Sequence, residues 1–307
     1  MKHRLVIAIA SLSATTAVAL ASAAVALAGT VPASALPLPD GTEVAFQANT
    51  GHLWTLTSSR VRDTQLGMMA GTSPSINAFG EVAFQANTGH LWTYTFSSGG
   101  QDTGLGMRAG TSPSINSHGQ IAFQANTGRL WTIGPGTCGC DTGLGTMAGT
   151  SPSINAFGEV AFHANNGQLW TTTRGDTHAQ MRAGTSPSIN FHGDIAFQGP
   201  YGHLKISGSS GVLDTDLAMK AGTSPSINSY GDIAFQGPFG HGWTRYSSGA
   251  TYRGEKMMAG TSPSILSLPW VAFQGPYGHL RITGIYGNLD TGQAMMAGTS
   301  PNITTRF

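Results

Sequence analysis

The chain has 307 residues, 15 Lys and Arg against 14 Asp and Glu, only 9% charged residues, 43 Gly and two Cys. A near-neutral balance with no basic run excludes a surface built to neutralise nucleic-acid phosphates, and two cysteines exclude a disulfide framework. Abundant Gly with little charge fits many short strands and tight turns, and no 3.6-residue apolar period appears beyond the first segment.

Residues 1–35 differ in kind from the rest. Lys2 and Arg4 give a basic start, residues 5–28 are an uncharged run of Ala, Val, Leu and small residues, and Ala33-Ser34-Ala35 is an A-x-A cleavage pattern. The segment reads as a secretory signal peptide. The run is also long enough to span a bilayer as an uncleaved anchor, but the cleavage pattern followed by Leu36-Pro37-Leu38-Pro39 favours removal. Of the 15 basic residues, Lys2 and Arg4 leave with it, so 13 remain against 14 acidic ones. The expectations are a secreted chain, no membrane attachment after cleavage and no nucleic-acid partner.

Residues 36–307 are a repeat array. Ala-Phe-Gln, or Ala-Phe-His once, centres on Phe46, Phe84, Phe123, Phe162, Phe197, Phe235 and Phe273, at intervals of 35 to 39 residues. Gly-Thr-Ser-Pro begins at Gly71, Gly110, Gly149, Gly184, Gly222, Gly260 and Gly298. Such a period marks solenoids and propellers. The chain meets Ala-Phe-Gln before any Gly-Thr-Ser-Pro and ends with the reverse imbalance, as expected if the last half-repeat supplies a strand that the first lacks. The predicted fold is all-β: a seven-bladed β-propeller of four-stranded blades, its ring closed by N- and C-terminal strands sharing one blade.

Within the second unit the predicted strands are residues 74–77, 81–86, 90–93 and 104–107. Reading Asn87-Thr88 as a two-residue hairpin loop sets Phe84 opposite Leu91, Gln85 opposite His90 and Ala83 opposite Trp92. The Gln and His slots pair likewise in other units, for example Gln47 with His52, and the fourth unit exchanges them as His163 and Gln168. That swap predicts a hydrogen-bonded Gln–His pair across the hairpin, with ligand contact as the other reading. The Trp slot holds Trp54, Trp92, Trp131, Trp170, Lys205, Trp243 and Arg281; Lys and Arg there imply a slot that reaches solvent.

Asp-Thr-Gly at Asp102, Asp141 and Asp290 is also the catalytic phrase of aspartic proteases, but Asp63, Asp176 and Asp214 keep the Asp without the Gly, so a turn or strand-edge role is expected. No nucleophile elbow, zinc helix or phosphate loop is visible, and the ten His are scattered. No catalysis, cofactor or metal is expected.

In a propeller the Gly-Thr-Ser-Pro links share a face with the turns between the second and third strands. Those turns read Ala-Asn-Thr-Gly early, then Gly-Pro-Tyr-Gly or Gly-Pro-Phe-Gly. Aromatic rings beside amides and hydroxyls suit a neutral sugar, whose C–H face stacks while its hydroxyls bond. The candidate ligand residues are Trp54, Trp92, Trp131, Trp170, Trp243, Asn49, Asn87, Asn126, His52, His90, Tyr201 and Tyr277, with a glycan or cell-surface polysaccharide as partner and the chain a monomer. A non-catalytic protein-interaction or scaffold domain is the alternative.

The phrases Val44-Ala45-Phe46-Gln47-Ala48-Asn49-Thr50-Gly51 with Leu53-Trp54-Thr55, and Asp102-Thr103-Gly104-Leu105-Gly106-Met107 with Ala109-Gly110-Thr111-Ser112-Pro113-Ser114-Ile115, resemble a repeat module of secreted actinobacterial proteins, found alone or attached to hydrolase domains. The resemblance implies an extracellular repeat domain. A more distant likeness to tachylectin-like and tectonin-like propeller lectins is one of architecture.

Overall fold

The computed structural model describes residues 38–306 apart from 137–138, 268–269 and 285–286. The signal-peptide reading of residues 1–35 and Cys138, one of the two cysteines, therefore lie outside the described residues. Seven antiparallel four-stranded sheets succeed one another as the blades of a propeller. Blade two, for example, comprises Ser75–Ile76, Val82–Gln85, His90–Thr95 and Gly99–Gly106, called strands A to D from the axis outward. Strand B is buried on both faces, and its Phe is a fully buried anchor of the packing between blades.

The ring closes as expected. Asn302–Thr305 pairs with Thr42–Gln47 from Thr42↔Thr305 to Ala45↔Asn302, so the two ends of the array share blade one. Strand A of each blade touches the next all the way round, and Asn302–Thr305 meets both Ser264–Ile265 and Ser75–Ile76. Hydrogen bonds explain why Gly-Thr-Ser-Pro-Ser-Ile recurs. The N–H of Ser73 donates to Ser112 Oγ, and the relay passes through Ser151, Ser186, Ser224, Ser262 and Ser300 back to Ser73, each step 2.9 Å. A second relay runs from each Ile N–H to the second Ser of the preceding blade, with Asn302 Oδ1 serving Ile76 at the seam. Among the described residues no helix is long and apolar enough to cross a membrane.

The predicted hairpin register is off by one. Phe84 faces Trp92, Gln85 faces Leu91 and Ala83 faces Thr93. The loop has three residues, because Ala86 N–H bonds the His90 carbonyl, Gly89 N–H bonds the Ala86 carbonyl, and Gly89 takes φ +84°. This is a type I turn completed by a left-handed Gly, which adds one residue to the two first counted. The slip dissolves the Gln–His pair. Gln85 Nε2 instead donates to the carbonyls of Met107 and Arg108 in the link to blade three, and Arg108 N–H bonds the Gln124 carbonyl there. His163 in the same slot also reaches the link but at a different carbonyl, bonding that of Thr185 through Nδ1 at 3.1 Å.

Strand D is longer than predicted, Gly99–Gly106, and Asp-Thr-Gly forms a bulge within it. Asp102 Oδ1 accepts the Gly104 N–H at 2.8 Å, and Thr103 Oγ1 donates to the Leu91 carbonyl at 2.7 Å. The third residue needs positive φ, which Gly104 adopts without strain and which Gln65, His178 and Asp216 adopt as non-glycines.

Candidate functional site

The B–C turns place Asn49, Asn87 and Asn126 on one face, exposed at their side chains and tied by their backbone N–H groups to strand D of the preceding blade at 3.0 to 3.2 Å. A Cβ on Gly106 would stand 2.7 Å from Asn126 Nδ2, whereas Ala294 holds the equivalent position beside Asn49. In blades five to seven the same turns carry Tyr201, Phe239 and Tyr277, exposed to 86%, 88% and 85%. Rings that protrude so far contribute almost nothing to packing in the free protein. The Thr and Ser hydroxyls expected beside them are committed elsewhere. Thr72 is buried and bonds the Met69 carbonyl at 2.7 Å, and Ser73 belongs to the axial relay.

The Trp slots lie between blades. Trp92 is half-buried, 6.4 Å from Phe84 by ring centroids, and packs with Leu66 of blade one. Trp54, Trp131 and Trp170 repeat the arrangement. Between blades three and four this leaves a shallow groove of about 110 Å³ lined by Leu144, Phe162, Asn165 and Trp170. Trp170 and Asn165 of blade four thus share one groove.

The His slots point to their own strand D. Nδ1 of His52 and of His90 sits 3.1 Å from Asp63 and Asp102, and Arg129 reaches Asp141 at 3.3 Å. Gln168 faces Asp176, which its amide satisfies when turned to donate, at 2.7 Å. The Gly104 N–H, then His90, hold the Asp102 carboxyl below its ordinary range. Where Trp becomes Lys205 or Arg281, the cation pairs with the same Asp, Lys205 Nζ to Asp214 at 3.2 Å and Arg281 Nε to Asp290 at 3.5 Å. In blade six Tyr252 takes the Asp position and meets the rings of Trp243 and His241 edge-on, each at 5.3 Å. His203, Asp214 and Asp216 bring three ligand atoms within 4.8 Å of one another, but Lys205 already supplies the positive charge there.

Sequence reasoning missed a cluster of Arg60, Arg62 and Arg306 around Phe96, at a cleft between blades one and two. These residues fall outside the repeated phrases. The available signal was Arg60-Val61-Arg62, two cations one residue apart in a C–D hairpin, a spacing that the other units do not reproduce.

No family model matches the chain, and no curated protein matches it. Among solved structures it is similar to PorZ, a bacterial surface component of the type IX secretion system of Porphyromonas gingivalis, at 11% identity and a TM-score of 0.50. The match covers 75% of this chain and 34% of PorZ, so the chain spans about a third of that protein. At this identity the likeness concerns the propeller fold.

Proposed function

We propose that the protein is a non-catalytic carbohydrate-binding propeller of the cell exterior, acting as a monomer on a glycan or cell-surface polysaccharide. The observation that carries this reading is the row of nearly fully exposed rings of Tyr201, Phe239 and Tyr277 on successive blades, held on preformed Gly-Pro turns. Aromatic faces offered on a rigid scaffold suit the C–H faces of sugars and lose little entropy on binding. The exposed Asn49, Asn87 and Asn126 amides of the same face supply donors and acceptors for hydroxyls. An extracellular setting rests on residues 1–35 and agrees with the surface placement described for PorZ. The likeness to tectonin-like lectins belongs to this reading as architecture.

A glycan array on the secreted form, followed by calorimetric titration of the strongest neutral glycan, tests it. Replacing Tyr201, Phe239 and Tyr277 together by Ala should weaken binding at least tenfold without lowering the melting temperature. No array signal, or unchanged affinity in that variant, overturns the reading. The rival protein-interaction reading uses the same face; on the opposite face the A–B turns also expose Phe157 and Phe191, with ring centroids 4.7 Å apart.

A further inference from the structure

Clefts between strands C and D of one blade and the A–B turn of the next recur, but the first is electrostatically unlike its neighbour. The cleft between blades one and two, about 230 Å³, is lined by Arg60, Arg62, Arg306, Glu43, Phe96 and the hydroxyls of Thr55, Thr57 and Ser59. The equivalent cleft between blades two and three, about 270 Å³, keeps Glu81, Thr93 and Thr95 and has no cation. In blade four one cation suffices: Arg174 pairs with Glu159, the counterpart of Glu43, at 3.0 Å.

In the first cleft Arg306 meets that need, its Nε lying 3.3 Å from Glu43. Arg60 and Arg62 are in excess, with no carboxylate partner among the described residues. Both guanidinium groups lie over the Phe96 ring, at 5.6 and 4.4 Å from its centroid. Arg62 Nη1 is buried without a hydrogen-bond partner. A desolvated guanidinium donor is costly unless an oxyanion meets it. Phe96 itself remains 61% exposed, leaving apolar surface beside the cations.

We propose that this cleft is a single site for an acidic sugar residue, its carboxylate held by Arg60 and Arg62 and its hydroxyls by Thr57 and Ser59. The volume admits one sugar ring. That the body is a sugar rests on the glycan-binding reading above; that the group is an anion rests on the arginines alone.

The test is titration calorimetry of the secreted form with glucuronate, and with glucose, sulfate and inorganic phosphate as probes of body and charge. Glucuronate should bind at one site per chain, at least tenfold more tightly than any of the other three. Arg60→Ala with Arg62→Ala should weaken glucuronate at least tenfold while leaving the melting temperature and the neutral-glycan site unchanged. Arg62→Lys, which keeps the charge but not the planar fork, should recover part of the loss. The Tyr201, Phe239 and Tyr277 triple variant should bind glucuronate normally, so either site can fail alone. No glucuronate binding, equal binding of sulfate or phosphate, or an unaffected double variant overturns the proposal.

Discussion

Gln85 offers the sharpest test of the hairpin register and of what joins the blades. Its side chain is fully buried, and Nε2 makes two bonds of 3.1 Å to the Met107 and Arg108 carbonyls. Gln85→Ala removes both, at about 0.5–1.5 kcal/mol each. Thr111 Oγ1 still serves the Arg108 carbonyl at 2.7 Å, so the Met107 carbonyl is the group left stranded, adding about 1 kcal/mol. The expected loss is about 2–4 kcal/mol, or about 4–8 °C in melting temperature for a domain of this size. Gln85→His should cost about 1–2 kcal/mol, less than Ala, since a ring nitrogen can reach a carbonyl of the link as His163 reaches Thr185 in blade four, while the Met107 carbonyl stays stranded. His90→Ala breaks only an exposed pair with Asp102, worth about 0–1 kcal/mol. Differential scanning calorimetry of the three variants and of the Gln85→Ala, His90→Ala double variant gives all the terms. A loss below about 0.5 kcal/mol for Gln85→Ala, or a coupling between positions 85 and 90 above about 1 kcal/mol, refutes the reasoning.

His163 is buried, and burial holds its pKa below the ordinary 6.5. The stability it contributes as a neutral ring is therefore present above the unfolded value near pH 6.5 and lost as pH falls through the lower folded value. His163→Gln, the residue of the other six blades, should melt near the unmodified protein at pH 7.5 and increasingly above it toward pH 5; a difference independent of pH in melts across that range counts against this account. Ile303, buried in the strand that closes blade one, should cost about 2–5 kcal/mol on replacement by Ala, read by urea unfolding, and a loss under about 1 kcal/mol would mean that the closure adds little to stability.

The number of blades and the closure were legible because the offset phrases at the two ends are a counting argument that no local conformation can disturb. The register was not, because it turned on one residue. Counting Asn87-Thr88 as the whole loop ignored Gly89, and one residue in a hairpin moves every pairing by one. The boundaries of strand D were hidden for a similar reason. Its bulge places Thr103-Gly104-Leu105 opposite Leu91 alone, so the alternation expected of a regular strand is interrupted where Asp-Thr-Gly sits. The arginine cleft draws on residues 60, 62, 96 and 306, which only the closed ring brings together.

Seven copies of one unit also allow positions that hold the fold to be separated from positions free to bind. At a fold position a change of residue comes with a change of partner that keeps the contact. His163 replaces Gln and still reaches the link; Lys205 and Arg281 replace Trp and meet the same Asp; Tyr252 replaces Asp and packs on Trp243. Tyr201, Phe239 and Tyr277 replace the Thr or Asn of the early turns without any such exchange, and Arg60 and Arg62 add two cations without adding an anion. The three rings make no packing contact that replaces the lost residue, and the two arginines lie over Phe96 without meeting a carboxylate among the described residues. A hydrophobic ring in water and a guanidinium donor without an acceptor both carry a cost in the unbound state. A bound ligand recovers that cost, and binding is tested at these positions with the least disturbance to the fold.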